Sequence, residues 1–368
     1  MKILWLAHRD PLNPRAGGAE RIIYEVSKRL AIKGNDVTIF AGGWKNCKMT
    51  ESLNGMNIIR FGYRVGPHLA LPIFLFKKKY DVVIVDLGHA MPWIFPVLLR
   101  RKIIVSFLHL HARSLRGQVS KLLAFSLTAM EKLYFIIYNN QYFVTISKTS
   151  NEDLKDLGIH KENISIINPG VNSELFHPQI KSKTPSIVYY GGMREYKRPE
   201  ESLFLLKELL KDLNNIKLII IGDGPSRPSI ESLCGKMGIS DHVEFTGRIS
   251  DSEVSEIVAN SWVNIHSSVT EGWGISIIEA ASAGTPTVAY RVPGVSDSIE
   301  NGLNGITVED GDRKALVNAA LVILKDPEKW WDSSIEVAKK YSWDKTAQIW
   351  ENLIHNVASK NDSTKNSQ

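Results

Sequence analysis

The sequence predicts an α/β chain built as two doubly wound, Rossmann-like domains, and three observations carry that expectation. Short apolar, β-branched runs alternate with helical patterns over most of the chain. The alternation breaks at a polar stretch bounded by prolines, Pro178–Pro185, and then restarts. The length, 368 residues, exceeds what a single hydrophobic core organises, so two domains of roughly 150–200 residues are expected.

In the first half the strand-like runs are Lys2–Ala7, Asp36–Ala41, Asp81–Asp86, Lys102–Leu108 and Tyr142–Ile146. They are continuously apolar rather than alternating, the pattern of strands covered on both faces of a parallel sheet. The first helix is expected to open near Gly17–Glu20 and to close near Gly34, with Glu20, Ile23, Val26 and Leu30 tracing its faces. The second set of strands is Ser186–Tyr190, Ile216–Ile221, Val243–Phe245, Trp262–His266 and Thr287–Tyr290, each followed by a Gly-bearing turn and a helix. The expected division is 1–178, 186–340 and a C-terminal helix with tail, 341–368, with the linker near 175–185. Such halves are expected to face each other across a cleft at the carboxyl ends of their strands. Helices at about Pro327–Lys339 and Trp343–Ala358 would cover the structure, and the polar tail Ser359–Gln368 is expected to be disordered.

Composition excludes several classes. Hydrophobic residues at 43% and charged residues at 23% are ordinary for a globular chain. The net charge of +6 is modest and its lysines and arginines are spread among acids, which argues against dedicated nucleic-acid binding and for small anionic ligands or an acidic membrane surface. Cys47 and Cys234 have no metal or disulfide spacing, so a reducing cytoplasm fits. The N-terminus reads as a strand rather than a signal peptide, and no run is long enough to span a bilayer. Two segments, Leu69–Phe76 running into Lys77, Lys78 and Lys79, and the apolar Lys121–Tyr142, read either as buried helix faces or as peripheral contacts with an anionic membrane at the cytoplasmic face. The loop His8–Glu20 lacks GxGxxG, which weighs against a dinucleotide cofactor.

The chemistry is concentrated in Glu271-Gly272-Trp273-Gly274-Ile275-Ser276-Ile277-Ile278-Glu279. A glycine-rich turn opening directly into a helix presents unpaired N–H groups at a positive helix end, suited to a diphosphate. Glu271 before the helix and Glu279 within it are placed to accept hydrogen bonds from sugar hydroxyls. Gly192, Arg194 and Lys197 follow a strand, and both cations can converge on a site at its end. Asp310-Gly311-Asp312 reads as a turn and helix cap rather than a metal site. Gly17 and Gly18 are expected to bring backbone N–H groups close to a donor phosphate or an acceptor.

The Glu-x7-Glu motif with this filling resembles the signature of the large group 1, or family 4, retaining glycosyltransferases of the GT-B fold. The resemblance extends in order through Gly17-Gly18-Ala19-Glu20, Asn168-Pro169-Gly170-Val171, Gly191–Lys197, Gly222-Asp223-Gly224-Pro225, Phe245–Arg248 and Pro293-Gly294. It implies a metal-independent hexosyltransferase without cofactor, in which Arg194, Lys197 and the Gly272–Gly274 backbone stabilise the leaving nucleoside diphosphate and Arg248 lies beside the base. It also implies a functional histidine at a strand end of the first domain, for which the sequence offers His109 and His111. His8 and His89 also end strands and are candidates for the acceptor side. The base, UDP or GDP, stays open, as does the acceptor, whether saccharide, lipid-linked or small molecule. Alternatives are a GT-B-like epimerase or phosphorylase and a non-catalytic nucleotide-sugar-binding subunit of a polysaccharide-synthesis complex.

Overall fold

The computed structural model describes residues 1–63, 66–87, 92–99, 101–110 and 121–359, with the backbone alone at 121–124. Contacts divide the chain into two units, one of Met1–Pro169 with Trp343–Gln368 and one of Gly170–Ser342. Each is a sheet with helices.

In the first unit the elements are β1 (Lys2–Leu6), α1 (Gly18–Ile32), β2 (Asp36–Ala41), β3 (Thr50–Leu53), β4 (Met56–Arg60), α2 (Gly66–Lys77) and β5 (Val82–Asp86). There follow α3 (Ile94–Leu98), β6 (Ile103–Phe107), α4 (Lys121–Tyr138), β7 (Tyr142–Thr145), α5 (Lys148–Asp156) and β8 (Ile164–Ile166). The sheet order is β3-β4-β2-β1-β5-β6-β7-β8, all parallel except β3 against β4. The middle strands β1, β5 and β6 are apolar along their length because helices cover both faces, so neither face needs polar residues. The β3–β4 hairpin and β8 are strands that the sequence reading passed over. Asn54 and Gly55, at φ 47° and 82°, form the left-handed pair a two-residue hairpin turn requires.

The second unit runs β9 (Ser186–Tyr190), α6 (Glu200–Leu209), β10 (Lys217–Ile221), α7 (Arg227–Met237), β11 (Val243–Gly247), α8 (Asp251–Asn260) and β12 (Val263–His266). It continues α9 (Ile275–Ser282), β13 (Thr287–Tyr290), α10 (Val295–Ser298), β14 (Gly305–Val308), α11 (Arg313–Lys325) and α12 (Pro327–Ala338). Its sheet order is β11-β10-β9-β12-β13-β14. In each sheet the order reverses once, between β1 and β5 in the first unit and between β9 and β12 in the second. Ligands of open parallel sheets bind outside the carboxyl ends of the strands at such a reversal.

Two boundaries differ from the sequence reading. The stretch 175–185, read as a linker, is fastened to the second unit, because side chains of that unit take up its backbone groups. Ser282 Oγ donates to Phe176 O at 2.6 Å, and Trp262 Nε1 donates to Ser182 O at 2.8 Å. Lys181 Nζ in turn donates to Ser261 O and Thr285 Oγ1. The C-terminal helix, α13 (Trp343–Ser359), belongs to the first unit. There Trp350 packs on Trp5 with ring centroids 5.1 Å apart, and Lys33 pairs with Glu351 at 2.7 Å. The tail 360–368 lies outside the described residues.

Trp350 is 2% exposed, so truncating it opens a large cavity beneath α13. Trp350→Ala is expected to cost about 3–5 kcal/mol of stability. Denaturant unfolding checks this, and a loss below about 1 kcal/mol contradicts the docking of the helix.

Candidate active site

In the second unit the turn after β9 and the turn after β12 lie side by side at the reversal of strand order. Arg194 opens the first turn and is exposed; Lys197 closes it. Ser267 Oγ donates to the carbonyls of Lys197 and Arg198, and Val269 N donates to Tyr196 O at 2.8 Å, so the two turns are knitted together. Arg198, at a left-handed φ of 47°, adds to this by donating to Ser267 O and Ser268 O and pairing with Asp310 at 2.6 Å.

This arrangement converges on Glu271. Its Oε1 accepts from Lys197 Nζ, from Ser268 Oγ at 2.7 Å and from His266 Nε2 at 3.2 Å. The Lys197 and Glu271 side chains are only 19% and 15% exposed. Burial alone would push the Glu271 carboxyl up, but the Lys197 ammonium and the His266 hydrogen bond outweigh it and hold the carboxyl well below its usual range. Burial likewise opposes the Lys197 charge, and Glu271 more than reverses that, leaving the ammonium above its ordinary value. The sequence reading gave Lys197 and Glu271 to a ligand separately; the structure joins them to each other.

Beyond Glu271 the chain turns through Gly272, Trp273 and Gly274 into α9. Gly274 sits at φ 85°, and a Cβ there would come within 2.8 Å of Ile277 and 3.3 Å of Ser298 Oγ. No side chain caps α9; Ile277 N donates to Gly274 O at 2.9 Å, and the N–H groups of Ile275 and Ser276, both half-buried, stand at the positive helix end where anions bind. Trp273 was expected to line the donor site. Its indole is instead buried against Tyr341, with centroids 5.3 Å apart, and only its backbone stays in the turn. Glu279 is buried inside α9 and accepts from Tyr190 Oη at 2.9 Å, which brings it to the carboxyl end of β9, beside Gly191 and Gly192. Gly192 O accepts from Tyr189 Oη at 3.2 Å. The adjoining turn presses so close that a Cβ at Gly222 or Gly224 would lie 2.0 Å and 2.2 Å from the carbonyl oxygens of Gly191 and Met193. Arg248 is exposed just after β11, three strands from β12 in the sheet order. Asp312 caps α11 by accepting from Ala315 N at 2.9 Å.

In the first unit the loop between β1 and α1 is anchored by a buried ion pair. Arg60 donates to both oxygens of Asp10 at 2.7 Å and 2.9 Å and pairs with Glu51 at 2.9 Å. Glu20 closes the loop by accepting from Gly17 N at 2.7 Å and pairing with Arg9 at 2.8 Å. Gly17 is extended, and a Cβ there would meet only the Glu20 carboxylate, at 3.7 Å, while Gly18 begins α1 in the open. His8, at the end of β1 beside the reversal, lies 5.5 Å from His68 and 5.4 Å from Trp93, and His68 stacks on Trp93 at 4.1 Å. His109 follows β6 half-buried, one strand further from the reversal. His89 and His111 lie outside the described residues.

Two family comparisons match this chain. "Glycosyltransferase Family 4" matches residues 16–175, and "Glycosyl transferases group 1" matches residues 172–340. The chain belongs to the group 1 glycosyltransferases of the GT-B fold. It is 24% identical to an uncharacterized glycosyltransferase of Methanocaldococcus jannaschii over 95% of this chain and 96% of that one. Among solved structures it resembles sucrose-phosphate synthase of Thermosynechococcus elongatus with a TM-score of 0.82, at 20% identity over 97% and 98% of the two chains. It also resembles Anabaena HepE in complex with UDP-glucose with a TM-score of 0.77, at 15% identity over 97% and 100%. At these identities the two structures speak for the fold.

For this group 1 glycosyltransferase the sequence reading missed Tyr190, Arg198, His266 and Ser268. A signal existed for His266, a polar residue ending a buried strand five residues before Glu271. Tyr190 and Arg198 carried none, since their partners are distant in sequence.

The Glu271 carboxyl has a lower pKa folded than unfolded, so its stabilising contribution is complete above about pH 4.5 and is lost as pH falls towards its folded value. Glu271→Gln leaves Lys197 buried without its counter-charge and is expected to cost about 3 kcal/mol near neutrality. The difference from the native chain should stay flat from neutral pH to about 5 and shrink on further acidification. Unfolding followed across pH checks this; a difference that grows in acid contradicts it.

Proposed function

We propose that the chain is a retaining, metal-independent glycosyltransferase of the hexosyl type, whose nucleotide-sugar donor, UDP- or GDP-linked, is held by the second unit. The observation that carries this reading is the Lys197–Glu271 pair set against the uncapped N-terminus of α9. A diphosphate placed there meets the Lys197 ammonium, the exposed Arg194 and the first N–H groups of α9, which together neutralise the charge that grows on the leaving group. A divalent metal supplies the same stabilisation elsewhere, and two cations with a helix end make it dispensable. Glu271 is fixed through Oε1, so Oε2 is the oxygen that accepts a hydroxyl of the donor. Glu279, held by Tyr190, fixes the sugar from within α9. That a structure of the same fold holds UDP-glucose supports the donor class.

Engagement of Glu271 by three donors suits it to positioning rather than to covalent attack. The acceptor hydroxyl, of a saccharide, a lipid-linked sugar or a small molecule, therefore attacks from the face the diphosphate leaves, which retains configuration. We assign His109 to the neighbourhood of the reacting sugar, on its position at a strand end and the family resemblance. The lone thiols Cys47 and Cys234, which lie in different units, fit a cytoplasmic enzyme.

Incubation with a panel of nucleotide sugars in chelator, with the product anomer read by NMR, tests the proposal. Turnover with retained configuration is expected, and Lys197→Gln, Arg194→Gln and Glu279→Gln should each lower kcat/KM by about 10²–10³-fold. Inverted product, a strict metal requirement, or native kinetics in all three variants would sink it.

A further inference from the structure

Three neighbouring helices of the first unit leave apolar side chains in solvent. On α2, Leu69, Ile73 and Phe76 are 73%, 62% and 74% exposed, along one stripe at i, i+4 and i+7, while Leu71 and Leu75 fill the buried face. On α4, Phe125 and Ile136 are 74% and 71% exposed, with Leu133 on the same stripe. The short helix α3, which packs against both α2 and α4, adds Ile94, Phe95 and Leu98. An apolar surface this extended is unusual for a chain with no partner and marks an interaction site.

The charges beside it are mainly basic, with the exposed Asp81 following two residues after Lys79. Lys77, Lys78 and Lys79 continue from α2 and are exposed, as is Lys132 on α4. Neither α2 nor α3 contains an acidic residue, and Glu131, the single acid of α4, is buried. We propose that this face docks on an anionic lipid bilayer, with the apolar stripes of α2, α3 and α4 in the interface and the lysines among the headgroups. Apolar stripes flanked mainly by lysine are the composition of interfacial helices. No helix among the described residues is long and apolar enough to cross a bilayer. A second copy of the chain is a poorer occupant, because a symmetric contact sets the same lysines against one another. The surface belongs to the first unit and the donor residues to the second, so the inference stands or falls apart from the donor reading.

Vesicles of phosphatidylcholine, with and without phosphatidylglycerol, provide the test. The full chain is expected to co-sediment with the anionic vesicles at low salt and to be released by high salt. The triple variant K77Q/K78Q/K79Q should bind roughly a hundred-fold more weakly, at about a fivefold loss for each lysine. The variant L69S/I73S/F76S should stay in the supernatant, with an unchanged thermal midpoint showing that it is folded. Should that variant fail to fold, the conservative Phe76→Trp reads the same contact through a blue shift of its fluorescence on anionic vesicles alone. A native chain that remains in the supernatant, or lysine variants that bind as well as the native chain, would overturn the proposal. So would lipid-independent dimerisation that L69S/I73S/F76S abolishes.

Discussion

A carboxylate buried at the end of a parallel sheet must be compensated, and in this chain the compensation of Glu271 organises the second unit. An isolated ionised carboxyl away from water costs several kcal/mol, and three donors on one oxygen offset that cost. Lys197 comes from the turn after β9, while His266 and Ser268 come from the end of β12 and the loop beyond it. The pair therefore spans the two strands between which the sheet reverses its order. Arg198 and Ser267 matter because they hold those two turns in register, through carbonyls that have no other strand to bond.

Close backbone approach is the second constraint, and glycine meets it where a side chain cannot. At Gly294, φ is 79° and a Cβ would lie 2.1 Å from Glu271 O, so the turn after β13 buttresses the carboxylate loop only because no side chain stands there. The contacts of Gly222 and Gly224 on the Gly191–Met193 turn do the same beneath Arg194 and Lys197. The glycines of the motifs thus do two jobs. Some shape the loops from behind, whereas Gly192 and Gly17, which have room around them, leave space at the surface.

The parallel strands were legible because burial on both faces writes a continuous apolar run, as in VVIVD of β5 and IIVSF of β6. The β3–β4 hairpin was written too, in Asn54-Gly55, but its short half-polar strand TESL has no apolar period to draw attention. The tie of 175–185 to the second unit was hidden, because it rests on serine, tryptophan and lysine side chains meeting backbone carbonyls about 80 to 106 residues away in sequence. At the site, residue types foretold charge but not pairing. Lys197 and Glu271 both read as ligand groups, and nothing in a spacing of 74 residues says that they neutralise each other. The packing of the Trp273 indole on Tyr341 was hidden as well, since the two are distant in sequence.

In the proposed complex a nucleoside diphosphate joins Glu271 as a partner of Lys197 at the N-terminus of α9. A crystal structure of the chain with UDP or GDP measures this directly. Phosphate oxygens are expected within hydrogen-bond distance of Lys197, of Arg194 and of the backbone N–H groups that open α9. Phosphates bound elsewhere on the second unit, with Lys197, Arg194 and the start of α9 uncontacted, would contradict it.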